Sequence, residues 1–447
     1  MYVLKFGGSS VADSKCMLNV VDILRKRNNE KILLVLSACQ GITNKLEQVS
    51  SEALNNNKEN SKILCDEIRS LHLNIINYTL KNSRIKRNAC YKVNTLCDEL
   101  ENLLVGVSLL KELIPQVMDR IYAFGECLST NIFYYIALEH GLKIIWKDAR
   151  NFIKTDSNFL SANILEQQTK EHCKELYKEF NNYDIIVTQG FIGSDEFGHT
   201  TTLGRGGSDL SAAVFGNAMS AECIEIWTDV NGVLSADPRL ISEAKSIPVM
   251  RYTTVKEMAF WGAKVLHPKT ILPAIKNNIP VKILNSFEPE NQGTIIESEL
   301  YSNSTSVHSI VVKQKCSMLS IAIDESSKYI EVLTSVIKYL SENDFHLLYS
   351  VYSNQSISLI VDGELNDVII DNKTIYRSIV NAICIVGENF TNNIEEFSKI
   401  TNSINYCLIN NHSKLLGMHI ISKHTILLII DSSNINMLVK DIHQKLI

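Results

Sequence analysis

A lysine set against a glycine pair is the first chemistry this sequence offers. Lys5 closes the apolar segment YVLKF (2–6) and is followed by Phe6, Gly7, Gly8 and the hydroxyls of Ser9 and Ser10. An ammonium supplies a point charge for a phosphate, and bare glycine backbone lets N–H groups close on its oxygens. The same residues also read as a strand, a turn and a helix capped by Ser9 or Ser10. Glycine use then concentrates downstream: six of the 19 glycines fall between Gly190 and Gly207, in QGFIGSDEFGHTTTLGRGG. GRGGSD (204–209) runs into the helical pattern SDLSAAVFGNAMSA, with Ser208 or Asp209 placed as its cap and its N-terminus as an anion site. A long hairpin loop before an ordinary capped helix is the alternative.

Four further stretches carry charged or hydroxyl groups where a ligand would meet them. EIWTDVNGVLSADPRL (225–240) places Thr228 and Asp229 at a strand end and Arg239 after an Asp-Pro turn. They suit a nucleoside and its phosphates, or a decorated surface loop. WGAKVLHPKT (261–270) offers a second lysine, Lys264, beside Gly262; His267 is assigned no chemistry. YAFGECLST (122–130) sets Glu126 inside an apolar helical run, where a carboxylate needs a partner or water unless it faces solvent. In SACQGITN (37–44), Thr43 binds a polar ligand or caps a helix. No GxxxxGK[ST] run and no HRD or DFG triplet occurs, so neither a P-loop nor a protein-kinase site is expected.

The elements that must position these residues follow from the hydrophobic pattern. Strand-like segments at 2–6, 31–38, 143–149 and 184–193 alternate with helices, including a long one over 113–141 and a helix-rich stretch from about 44 to 112. Such alternation predicts a mostly parallel sheet sandwiched by helices, with ligands at the carboxyl ends of its strands. Beyond about residue 296 the glycine-rich loops stop. Two similar α+β patterns follow, starting at SMLSIAID and at NAICIVG. The expected division is 1–295, carrying the chemistry, and 296–447, a regulatory tail.

Bulk properties narrow the class. The net charge is only −5 and 21% of residues are charged, which argues against a nucleic-acid partner. No apolar run approaches the roughly 20 residues of a membrane helix, and no signal-peptide layout is visible. Eleven scattered cysteines without a CxxC pair fit reduced thiols in a cytoplasm better than disulfides or a zinc site.

KFGGSS, LSACQGITN, FGECLST, QGFIG, TTTLGRGGSD, IWTDVNGV, DPR and GAKVLHP, in this order, resemble the aspartate kinases of the amino-acid kinase family. The resemblance is close over about residues 1–295. The tail more loosely resembles the paired ACT domains of that family. It implies the amino-acid kinase fold and phosphorylation of L-aspartate by ATP, the first step toward lysine, threonine and methionine. It implies that Lys5 and Lys264 neutralise the phosphates, that Gly7 and Gly8 donate N–H groups, and that Asp209 orients the lysines. By the same resemblance Arg205 would pair with the substrate α-carboxylate and Glu126 with its α-ammonium, with Thr43, Gly206, Gly207 and Ser208 completing the pocket. Thr228, Asp229, Arg239 and Val265 would hold the nucleotide. Mg²⁺ would ride on the ATP phosphates, with no metal cage of the protein's own expected.

Departures from the family pattern shape the remaining expectations. Ser9 replaces a usual threonine, and Leu234 a frequent nucleotide-contacting tyrosine. The tail enters its first helix through ESSKYIEV, without the Gly-Phe loop of lysine-inhibited relatives, and FHLLYSVYSNQSISL lacks the usual Thr-Thr-Ser-Glu run. IVGENFTNNIEEF keeps Val-Gly but not the later Gly-Val. The expectation is a homodimer or higher oligomer built through the ACT pair, with sensing of lysine or threonine weakened or lost. With the sequence ending at Ile447, no fused homoserine dehydrogenase is expected. Cys39 and Cys127 adjoin the expected substrate residues and raise the question of oxidation.

Overall fold

The computed structural model describes residues 1–27, 30–263, 268–298, 306–322, 329–353, 355–365, 369–370, 373–388 and 393–447. Contacts divide the chain into two compact units. The first comprises 1–233, 248–252 and 266–300, and the second 234–247, 253–265 and 301–447. The division is therefore not the single cut near 296 expected from composition. Two inner segments group with the C-terminal residues: the first, carrying Arg239, packs apolar side chains there, and the second bonds to Glu388 and Thr425 through Thr254 and Glu257.

In the first unit β1 (Tyr2–Phe6), α1 (Ser14–Arg25) and β2 (Ile32–Leu36) open the fold. Helices α2 (Ile42–Leu54), α3 (Lys58–Thr79), α4 (Ser83–Leu110) and α5 (Pro115–Glu139) follow. Next come β3 (Ile144–Trp146), α6 (Glu166–Glu179), β4 (Ile185–Gln189), the hairpin β5 (Ile192–Ser194) and β6 (Thr200–Thr202), α7 (Gly207–Ala218) and β7 (Cys223–Thr228). The unit ends with β8 (Val249–Arg251), the start of α8 (Tyr252–Phe260), α9 (Leu272–Lys276), β9 (Val281–Asn285) and β10 (Thr294–Glu297). Eight strands form one sheet in the order β3-β4-β2-β1-β7-β9-β10-β8. Every pairing is parallel except β9 with β10. Central strands of such sheets are covered on both faces, and all five residues of β2 (ILLVL) are buried. The parallel run β4-β2-β1-β7 brings the segments after four strands to one end of the sheet.

Local signals explain most boundaries, and some differ from expectation. The cap of α1 is Asp13, whose carboxylate accepts the Cys16 N–H at 2.8 Å, and not Ser9 or Ser10. Those serines lie in a short 3₁₀ turn, where Ser10 is buried against Ser286 with hydroxyls 2.8 Å apart. α2 and α7 both begin after a left-handed glycine, Gly41 (φ 80°) and Gly206 (φ 75°), with no side-chain cap. Thr43, Ser208 and Asp209 therefore sit inside the first turns of their helices and cap neither.

The second unit holds β11 (Ser306–Ala322), α10 (Tyr329–Glu342), β12 (Leu347–Tyr352), β13 (Ser356–Val361), the short pair β14 (Ile369–Ile370) and β15 (Lys373–Thr374), and β16 (Tyr376–Glu388). After these come α11 (Ile394–Asn410), β17 (Lys414–Ser422), β18 (Thr425–Asp431) and α12 (Ile435–Leu446). Six strands make one antiparallel sheet, β12-β13-β11-β16-β18-β17. The two tandem patterns thus share one sheet, because β11 and β16 are long enough to serve both halves. The ribbon breaks register between Lys313 and Cys316, where Lys315 is left-handed (φ 58°). Each half has its own core, one around Leu319, Val336 and Leu359 and the other around Ile383, Ile404 and Leu438. Ala236 and Ile241 belong to the latter core, and Ser235 Oγ lies 2.8 Å from His443 Nε2 of α12.

One buried group gives the first unit an acid-sensitive point. His72 of α3 is fully buried, and its Nδ1 lies 2.7 Å from the Ile68 carbonyl oxygen while Nε2 has no partner. Burial pushes its pKa down to about 4. The unfolded chain protonates this ring near its ordinary value, the folded chain only near 4, so stability falls as pH drops through that window. The window is worth up to about 3 kcal/mol. His72→Leu is expected to flatten the acid limb of melting temperature against pH between about 6.5 and 4; an unchanged limb rules out this origin.

Candidate active site

The segments that follow β1, β2 and β4 enclose, with one face of α5, a cleft of about 860 Å³ in the first unit. β1 supplies Lys5 and the turn after it Gly8. The β2–α2 turn supplies Ser37 through Gly41 and Thr43, and α5 supplies Tyr122 and Glu126. Leu160, Phe191, and Thr202 with Gly204 through Asp209 complete the wall. The sequence stretches KFGG, SACQGITN, FGE, GFIG and TTTLGRGGSD are thereby brought together across the chain.

At one end, Lys5 Nζ lies 2.6 Å from Asp209 Oδ1. Both side chains are largely buried, so the pair is weakly screened. Asp209 lies in the first turn of α7, where a carboxylate is favoured by the helix dipole and the first N–H groups lack intrahelical acceptors. Glycine permits the close approach of these segments. A Cβ on Gly8 would come within 2.9 Å of the Ala38 carbonyl oxygen, and one on Gly190 within 2.7 Å of Ser208 Cβ. Gly7 departs from expectation: its N–H donates to the Trp227 carbonyl at 3.1 Å and is already engaged.

At the other end stands Glu126, only 4% exposed. The reading of this residue as solvent-facing is thereby excluded. Its Oε1 accepts the Ala38 N–H at 3.2 Å, and Oε2 has no hydrogen-bond partner. Burial pushes its carboxyl up to about 8. A carboxyl so placed favours its protonated form unless a cation partners it. Gly125 lets α5 come this close, since a Cβ there would sit 2.8 Å from Ala38 Cβ. Arg205 is exposed between the left-handed Gly204 (φ 72°) and Gly206 (φ 75°).

Other expected residues fall elsewhere. Thr228 and Asp229 end β7, the neighbour of β1, and Thr228 Oγ1 donates to Asp229 Oδ1 at 3.1 Å; neither lines the cleft. Arg239 lies in the second unit, exposed and ion-paired with Asp237 at 2.5 Å. Leu234 also belongs to that unit, bridged to Ser246. Lys264 and Val265 lie outside the described residues, as do 323–328 and 389–392, which hold parts of two of the three departures in the tail; the third, FHLLYSVYSNQSISL, falls largely on β12 and β13. Cys39 and Cys127 are buried, and burial pushes both thiols up to about 12, so neither is a reactive thiolate. All eleven cysteines are free.

Sequence reasoning passed over Asp119 and Tyr122. Both share a face of α5 with Glu126, at spacings of seven and four residues, and the structure puts both against the cleft wall. The signal was present: two carboxylates two helical turns apart in an apolar run.

Known proteins resemble this arrangement. The sequence profile of the amino acid kinase family matches residues 1–285. Aspartokinase 1, chloroplastic, of Arabidopsis thaliana is 35% identical over 80% of this chain and 63% of its own length. Lysine-sensitive aspartokinase 3 of Escherichia coli is 37% identical over 66% of this chain and 63% of its own length. These matches thus span less than two thirds of each relative. The crystal structure of E. coli aspartokinase III in complex with aspartate and ADP superposes with a TM-score of 0.78 at 26% identity, covering 100% of this chain and 99% of that one. No described helix is long and apolar enough to cross a membrane. With the profile matched over more than half of its residues and its parallel sheet and cleft in place, the chain belongs to the amino acid kinase family.

Proposed function

We propose that this protein is an aspartate kinase, transferring the γ-phosphoryl group of ATP to the β-carboxylate of L-aspartate. The observation that carries the reading is one cleft with three distinct charge features. Lys5 is held by Asp209, Glu126 is buried with one oxygen unpartnered, and Arg205 has no carboxylate partner among the described residues. Phosphate, ammonium and carboxylate are the three charges that ATP and a free amino acid bring. The similarity to E. coli aspartokinase III, solved with aspartate and ADP, supports the same assignment.

In this reading Glu126 takes the α-ammonium and Arg205 the α-carboxylate through paired N–H donors. Thr43, Ser208 and the backbone of Gly206 and Gly207 line the rest of the pocket. The β-carboxylate is then turned toward the γ-phosphorus. Its oxygen forms the new O–P bond while the bond from γ-phosphorus to the β,γ-bridging oxygen breaks. The electron pair leaves with ADP, and 4-phospho-L-aspartate remains. The nucleophile is already an anion, so no general base is required. Lys5 neutralises charge on the phosphoryl oxygens, and Asp209 holds its ammonium in place. Thr228, Asp229, Arg239, Lys264 and Val265 are proposed for the nucleotide. Mg²⁺ is proposed to enter on the ATP phosphates, whose charge it offsets. Such an enzyme works in the cytoplasm at the head of lysine, threonine and methionine synthesis, as a homodimer or higher oligomer through its C-terminal sheet.

Incubation with Mg-ATP and L-aspartate, with the acyl phosphate trapped as hydroxamate, is expected to give aspartate-dependent product. Lys5→Ala is expected to lower kcat by about 10²- to 10³-fold. A folded wild type that makes no product refutes the assignment.

The raised carboxyl of Glu126 sets a pH dependence. Below about 8 the Glu126 carboxyl holds a proton that must leave when the substrate ammonium binds. Hence kcat/KM for aspartate is expected to rise with pH and level off near 8. Glu126→Gln is expected to remove that limb and lower kcat/KM roughly 10- to 100-fold. An unchanged profile in the variant shows that another group titrates.

The C-terminal sheet is proposed to persist as an assembly scaffold whose sensing of lysine or threonine is weakened or lost. Activity is expected to survive a titration with either amino acid. Full inhibition by sub-millimolar lysine overturns this part.

A further inference from the structure

Asp119 is a carboxylate in a place that ought to be apolar. It is fully buried on α5, and none of its hydrogen-bond partners is a cation. Its oxygens instead collect donors from two segments. The Leu160 N–H reaches Oδ1 and Oδ2 at 3.1 and 3.0 Å. The Thr202 N–H reaches Oδ2 at 3.0 Å and the Thr202 hydroxyl reaches Oδ1 at 2.5 Å. Burial pushes the Asp119 carboxyl up, and these bonds oppose the shift. A buried carboxylate is retained at such a cost only where its bonds fix something.

Both bonded segments lead to Arg205. Thr202 ends β6, three residues before it. Leu160 adopts a left-handed backbone (φ 69°), a strained state for a side chain with a Cβ, which needs outside bonds to persist. Its carbonyl packs on Gly204, where a Cβ would stand 3.3 Å from the Leu160 oxygen. The Ala162 N–H donates to the Thr202 carbonyl at 2.9 Å and ties the two segments together. Arg205 itself lies exposed between two left-handed glycines, a backbone with little stiffness of its own.

We infer that Asp119 is the positioning residue that sets Arg205 at a fixed span from Glu126, so that the cleft grips the amino-acid head of its substrate at two points. One carboxylate on α5 meets the ligand, and the other, two turns earlier on the same face, anchors the loop carrying the opposite pole. This rests on the assignment of Glu126 and Arg205 to the α-ammonium and α-carboxylate.

The test compares wild type with Asp119→Asn, Thr202→Val, Arg205→Ala and the Asp119→Asn/Arg205→Ala pair. Each is assayed for KM of aspartate and of ATP, for melting temperature, and for amide exchange without substrate. Asp119→Asn keeps the shape but turns an amide toward N–H donors. It is expected to raise the KM for aspartate by up to about 10²-fold, with the KM for ATP unchanged. Thr202→Val removes one bond at constant shape and is expected to shift the same constant by less. In the Arg205→Ala background, Asp119→Asn is expected to add nothing. Exchange is expected to quicken over 200–207 in Asp119→Asn and Thr202→Val.

Full additivity of the two substitutions, equal losses for both substrates, or unaltered exchange over 200–207 overturns the inference. A wild type inactive on aspartate refutes the proposed function instead, and the exchange measurement still decides whether Asp119 holds the loop.

Discussion

The ion pair between Lys5 and Asp209 joins the first strand to α7 at 2.6 Å. The pairing of β1 within the sheet and the start of α7 make that contact possible. Lys5 is fixed because β1 lies between β2 and β7, hydrogen-bonded on both sides. Asp209 is fixed because Gly206 starts α7 with a left-handed turn. An ammonium largely removed from water is held only by a counter-charge, and a carboxylate so placed needs its cation. Each residue is therefore the condition for the other's burial. The geometry left over sets a lysine beside a helix N-terminus, the corner proposed above to receive a phosphate.

The opposite side of the cleft works by the reverse principle. Glu126 has been removed from water and given one backbone N–H, with its second oxygen left unpartnered. Such a group costs stability until a cation partners it. Close packing around it leaves no slack, because Gly125 allows α5 to touch the Ala38 turn with nothing larger than a hydrogen between them. A stabilised pole and an unsatisfied pole thus face one cavity, and that asymmetry distinguishes a binding cleft from a well-packed core.

The second unit shows a different economy. Two α+β patterns that look separable along the chain become one sheet through β11 and β16. A break in register and a left-handed Lys315 separate the halves without ending the strands. Residues 234–247 pack into one of the two cores, with Ser235 bonded to His443. The stretch carrying Arg239 is therefore shaped by the C-terminal residues, although it precedes them by a long interval of sequence.

The strands β1, β2, β3 and β4, the long helix α5, the fold class, and the grouping of glycines around Lys5, Glu126 and Arg205 were legible in the sequence. Hydrophobic period, punctuation by glycine, and a lysine at a strand end are local properties that neighbouring residues already settle. What residues far apart in the chain must agree on was not legible. Whether Glu126 faced water or the cleft depended on how near α5 comes to the β2–α2 turn. Asp13 took the cap that Ser9 and Ser10 also fitted, because the backbone there makes a 3₁₀ turn first. Gly7 lost its N–H to Trp227 because β7 was the strand that paired beside it. Asp119 looked like any helical carboxylate until Leu160 and Thr202 closed on it. Sequence by itself determined which groups were available; only the tertiary structure decided which were satisfied, because burial and hydrogen bonding are properties of partners the chain brings in from elsewhere.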